Sequence, residues 1–158
     1  MLKIGYNEDN LKILQENLDE IKMVRYIWGD KIVAYWKGDK EFEKPLWLAG
    51  FKGMEGTTAL RRVQSILGKK FLKPKDELGL LVNKKEFQSC WIASHLEKEW
   101  DWRQGYVEKE RYNVCIEFKD GSIFNNGDNL SEDVAERFCK PFTDFEEKQK
   151  EVSKGKNL

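Results

Sequence analysis

The chain has 158 residues, with 28 basic and 28 acidic side chains and 40% apolar residues that include six Trp, five Tyr and nine Phe. That content builds one domain with a sizeable core and excludes disorder, and a net charge of zero excludes a whole-molecule field that gathers polyanions. Three widely spaced cysteines, no apolar leader in Met1–Glu8 and no membrane-length run point to a cytoplasmic protein with reduced thiols and no membrane partner.

Lys3–Tyr6 reads as a short strand, and Asn7 caps a helix to Ile21 whose apolar face is Leu11, Leu14, Leu18 and Ile21. Met23–Phe51 then reads as a three-stranded antiparallel meander, with strands near 22–28, 31–37 and 46–51. A two-residue turn at Gly29-Asp30 pairs Ile27 with Ile32 and Val24 with Tyr35. One face then carries Met23, Ile27, Ile32, Ala34 and Trp36, with Ile27 and Trp36 expected in the core; the other carries Val24, Tyr26, Val33 and Tyr35. Both faces are apolar, so both must be covered, or one must bind something.

Beyond the loop Lys52–Gly56, Thr57 or Thr58 caps a helix to Lys70, with Ala59, Leu60, Val63, Ile66 and Leu67 inward and Arg61, Arg62, Ser65 and Lys69 outward. From Lys52 to Lys75 there are seven bases against one acid, Glu55. A solvated helix normally interleaves acids with bases, and this one does not. Arg61, Arg62, Ser65, Lys69, Lys70, Lys73 and Lys75 are therefore the candidate contacts to nucleic-acid phosphates. The competing account is an internal partner, the segment Asp128–Glu151 with eight acids and four bases. The order α-β-β-β-α from Asn7 to Lys69 is that of double-stranded-RNA-binding domains. The start of that family's lysine-rich second helix would fall on uncharged Gly56-Thr57-Thr58-Ala59, so no family is inferred.

Pro74 ends this region, and Asp76–Gly79 turns into the apolar run Leu80-Leu81-Val82. Lys84–Trp100 is compatible with a helix or a strand; the helix is favoured, with Phe87, Cys90 and Trp91 on one side and Ile92, Leu96 and Trp100 on another. An aromatic-rich connection, Asp101–Glu108, leads to an alternating strand, Arg111–Phe118; Asp120-Gly121 turns it into a short partner at Ser122–Phe124, and Asn125–Asn129 is loop. Ser131 caps a helix stopped by Pro141, Thr143–Glu146 opens a last short helix, and Ser153–Leu158 frays. The fold class is α+β: a central meander with helices packed on it, and a second small β-hairpin plus helices in the C-terminal half. Residues 1–152 form one domain and 153–158 a flexible tail.

No P-loop, dinucleotide glycine pattern or nucleophile elbow is present, and no cofactor or metal is implied. Tyr26 and Tyr35 read as core rather than as base-stacking groups. Cys90 and His95 are five apart, which aims neither at the other, and Cys90, His95, Cys115 and Cys139 lack zinc-site spacing; the thiols are expected reduced and unbridged. The leading expectation is a non-catalytic binding domain, with nucleic acid as ligand. The alternative is a small protein-binding or inhibitory module, such as mobile elements carry, that uses exposed Trp and Tyr on another chain or in a homodimer. A metal-dependent nuclease built on Glu117-Phe118-Lys119 and Asp101 comes third.

Overall fold

The computed structural model describes residues 8–27, 31–47, 63–73 and 80–156. The caps at Asn7 and Thr57–Thr58, the Gly29-Asp30 turn, the third strand beyond Trp47, Ala59, Leu60 and the turn at Asp76–Gly79 lie outside these residues. Helix α1 (Glu8–Glu16) is followed by a short 3₁₀ turn, Leu18–Glu20. Strands β1 (Ile21–Ile27), β2 (Lys31–Trp36) and β3 (Leu46–Trp47) form the meander. A helical segment α2 at 63–67 runs through a 3₁₀ turn, Gly68–Lys70, into β4 (Phe71–Leu72) and then β5 (Leu80–Asn83). The C-terminal half consists of β6 (Phe87–Asp101), β7 (Gly105–Phe118), β8 (Ile123–Leu130) and α3 (Glu132–Lys156).

The class is α+β, with two antiparallel sheets ordered β3-β2-β1-β5-β4 and β6-β7-β8. The expected β1-β2-β3 meander is present as one side of the five-stranded sheet, whose central strand is β1, because Leu80–Leu81–Val82 pairs along Arg25–Val24–Met23. The register also differs by one from the two-residue turn: Val24 opposes Ala34 and Met23 opposes Tyr35. A slip between Ile21 and Met23 makes Lys22 the extra residue of a bulge in β1. The bulge lets Ile21 and Val24 serve one cluster while Lys22 and Met23 both turn to the other side.

Both faces of this sheet are covered. Val24, Ile32, Ala34 and Leu81 pack against Leu14 of α1 and Val63 and Leu67 of α2, with Trp36 half-buried at the margin rather than in the core. Met23, Val33, Tyr35 and Val82 share the opposite cluster with Val114, Ile116 and Phe118 of β7 and with Phe138 and Phe142 of α3. Tyr35 is buried against the edge of Phe42, so it is core as expected; the side chains of Tyr26 and Ile27 lie outside the described set.

Several further expectations are corrected. Lys84–Trp100 is not a helix: Phe87–Asp101 is a strand paired with β7 along its whole length. Asp101–Glu108 is not a connection but the tip and far end of that hairpin, and Asn125–Asn129 is strand, not loop. Pro141 does not stop a helix; α3 passes through it and runs to Lys156. Ala135, Phe138, Cys139 and Phe142 keep one buried stripe across the proline, and that burial outweighs the missing N–H.

Candidate functional site

Two surfaces and one buried cluster carry chemistry. The first surface is the far half of the β6–β7 hairpin. The last β7–β8 pair is Tyr112 with Leu130, so His95–Asp101 and Gly105–Arg111 continue as a two-stranded ribbon, roughly 20–24 Å long at strand rise. Its tip is a three-residue loop. Asp101 accepts from Gln104 N–H through its carbonyl (3.2 Å) and from Arg103 N–H through its carboxylate (2.7 Å), and Gly105 closes the loop at φ +79°, where a side chain is strained.

The two faces of this ribbon differ. On one, His95 Nε2 is 2.7 Å from Asn129 Oδ1, and Arg111 binds Glu99 through both Nε and a terminal nitrogen. These groups satisfy one another; His95, Glu99 and Arg111 are half-buried and Asn129 is exposed. The carboxyl of Glu99 is held below its usual range and the Arg111 guanidinium above its own, each chiefly by the hydrogen bond to the other. On the other face stand Leu96, Trp100 and Tyr106, which with Trp102 at the tip are 67%, 67%, 73% and 79% exposed respectively. Trp100 and Tyr106 oppose each other and meet edge to face at 5.0 Å, and Arg103 lies over Trp102 at 4.6 Å. Sequence reading missed this array, because it placed Trp100 on a helix and Tyr106 in a loop. The signal was present: around Asp101–Gly105 the flanks mirror each other, Trp100 against Tyr106, Lys98 against Glu108 and Glu97 against Lys109.

The second surface is the lysine edge at the other end of the same hairpin. Among the expected phosphate contacts, Ser65, Lys69, Lys70 and Lys73 are exposed, while Arg61, Arg62 and Lys75 lie outside the described residues. Val63 and Leu67 are buried, as the helical pattern required. The structure adds lysines that the sequence did not group with them. Lys84 N–H donates to the Lys70 carbonyl (2.9 Å), and Lys84, Lys85 and Lys119 line a cavity of about 480 Å³ with Gln88, Gln149 and Glu146. The internal acid is Asp19, which is 3.3 Å from Lys85 Nζ and 4.0 Å from Lys70 Nζ. The acidic C-terminal segment contributes Glu146 to the cavity, but Lys70 turns to Asp19.

The buried cluster is Lys22, Ser122 and Asp120, joining residues about a hundred positions apart. Lys22 Nζ donates to Asp120 Oδ2 (2.9 Å), Ser122 Oγ (2.9 Å) and the Asp39 carbonyl (2.6 Å), and lies 4.4 Å from the centre of the Phe42 ring. Burial pushes the Asp120 carboxyl up, but hydrogen bonds from Ser122, Lys22 and Gly38 N–H outweigh it and hold the group well below its usual range. A lysine beside a serine resembles a nucleophile and its base, yet all three ammonium donors are engaged. No lone pair is offered to a hydroxyl, and Ser122 is buried. The cluster clamps the two sheets together.

The remaining candidates come apart. Asp101 lies at the ribbon tip and Glu117 twelve residues from Gly105 along β7, roughly 40 Å away, so they cannot share a metal. Cys90 and His95 point to opposite faces of β6. Among the described residues no group of three or more His, Cys, Asp or Glu is placed to hold a metal ion. The fold and these surfaces define an α+β domain with an aromatic ribbon at one end and a lysine edge at the other. No protein-family model, curated protein or solved structure matches the chain.

Proposed function

We propose that the chain is a non-catalytic binding module that seats its β6–β7 ribbon on a protein partner, in an apolar recess rimmed by charges of both signs. One observation carries this: four large groups, Leu96, Trp100, Trp102 and Tyr106, stand exposed together on a ribbon where packing asks for none of them. Trp, Tyr and Arg are the side chains that dominate protein interfaces, and the Trp100–Tyr106 pair is already ordered, which lowers the entropy lost on docking. Residues 95–111 hold five acids and four bases, a balance that suits a protein surface better than a polyanion.

A photo-crosslinker at Gln104 identifies the partner in cell extract, and the purified partner is then titrated with the intact chain. The expected result is a stoichiometric complex that Trp100→Ala, Trp102→Ala and Tyr106→Ala together abolish while the melting temperature stays within a few degrees. A complex indifferent to these substitutions overturns the proposal. Concentration-dependent dimerisation that disappears in the same variant makes the partner a second copy of the chain.

The second reading, nucleic-acid binding, rests on the lysine edge, where Lys84, Lys85 and Lys119 extend the row of Lys69, Lys70 and Lys73. It requires that the wild type bind a duplex oligonucleotide at low salt. Substitution of these lysines by Gln should then reduce the salt slope by about 0.9 for each phosphate that is no longer neutralised.

A further inference from the structure

Cys90 of β6 and Cys139 of α3 bring their sulfurs to 2.8 Å, with the two residues only 8% and 4% exposed. That separation is within about 0.8 Å of a disulfide bond length, so bridging asks for little movement of either element. The pair lies among apolar side chains of one cluster, including Phe87, Phe138 and Phe142. Cys115, also buried, is on the opposite face of the sheet, so β6 and α3 present one pair and leave one thiol out.

We propose that Cys90 and Cys139 are a modification site: they close to a disulfide that fastens α3 to the base of the hairpin carrying the ribbon. Either sulfur can donate to the other, so either can be the attacking group, and the route through Cys139 balances in the same way as the route through Cys90. With hydrogen peroxide as oxidant, the Cys139 thiolate attacks one peroxide oxygen. The O–O bond breaks, hydroxide leaves as water after taking a proton, and Cys139 becomes a sulfenic acid. Cys90 then attacks the Cys139 sulfur. The S–S bond forms, the S–O bond breaks, and a second water leaves with the Cys90 proton. Two thiols lose two electrons, and one peroxide is reduced to two waters. The bridge closes a loop between positions 49 apart, which restricts the unfolded chain more than the folded one.

The test oxidises the intact native chain with hydrogen peroxide, denatures it in N-ethylmaleimide and maps its peptides. The expected product has lost two hydrogens, carries one alkylated thiol at Cys115, and yields a Cys90–Cys139 linked peptide. Its melting temperature rises above that of the reduced chain and returns on reduction. Cys115→Ser should keep the bridge, whereas Cys139→Ser should lose both the bridge and the rise. Three alkylated thiols after oxidation, a bridge that includes Cys115, or sulfinic acid at Cys90 or Cys139 without a bridge overturns the proposal, and each is read on the wild type.

Discussion

The ammonium of Lys22 is wholly buried, yet it has a carboxylate, a hydroxyl and a carbonyl within hydrogen-bond reach and an aromatic ring beneath it. Such a cluster is strongly asymmetric to mutation. Asp120→Ala strands a buried charge and should cost about 3–5 kcal/mol in urea denaturation. Lys22→Met should cost less, since Asp120 remains partly exposed and still accepts from Ser122 and Gly38. The carboxyl titrates below its ordinary value of 3.8 in the folded chain, so on acidification the unfolded chain takes up the proton first. Its contribution is fully present above about pH 5 and declines as pH falls below that, and Asp120→Asn should flatten this part of the stability profile. None of this was legible in the sequence. Lys22 falls in a strand whose parity the bulge changes, and its counter-ion lies 98 positions away. The Phe42 ring beside it is reached through a backbone at φ +54°, which no pattern of apolar residues announces.

At the scale of elements, local periodicity identified β1, β2 and the start of α1, which ends at Glu16 rather than Ile21, and placed Val63 and Leu67 of α2 inward; it failed where two periods coincide. Ile92, Leu96 and Trp100 are spaced by four, which is about one helical turn and also two full pleats of a strand. Leu96-Glu97-Lys98-Glu99 even favours helix by propensity, and the pairing with β7 overrides it. Pro141 misled in the opposite direction. The rule that proline ends a helix weighs one lost hydrogen bond and a steric clash, but not the stripe of Ala135, Phe138, Cys139 and Phe142 that continues past it. The helix therefore accommodates a residue that lacks an N–H donor at that turn. Pro141→Ala restores an N–H donor and should stabilise the chain by about 1–3 kcal/mol, seen as a higher urea midpoint with unchanged slope. A loss of stability instead would mean that the proline fits its site and that its rigidity in the unfolded chain is the larger effect.

Across the whole molecule, the aromatic ribbon and the lysine edge are the two ends of one hairpin. Phe87 adjoins Lys84 and Lys85, Phe118 adjoins Lys119, and Asp101–Gly105 is the far tip, on the order of 45 Å away along β6. Among the described residues nothing at one end touches the other, so substitutions at the two ends should act independently, adding within about 0.5 kcal/mol. With zero net charge, no long-range field links the ends either, and ionic strength separates them cleanly. A partner held by Trp100, Trp102 and Tyr106 should bind with an affinity that changes little between low and physiological salt. Replacing Lys69, Lys70, Lys73, Lys84, Lys85 and Lys119 by Gln should leave that affinity within about twofold. If binding instead weakens steeply with salt, and the lysine variant loses it while the ribbon variant keeps it, then the lysine edge is the working surface. The exposed aromatics would then stand as a ribbon without a partner. Measuring both variants against the same partner at two salt concentrations decides between the ends of the hairpin.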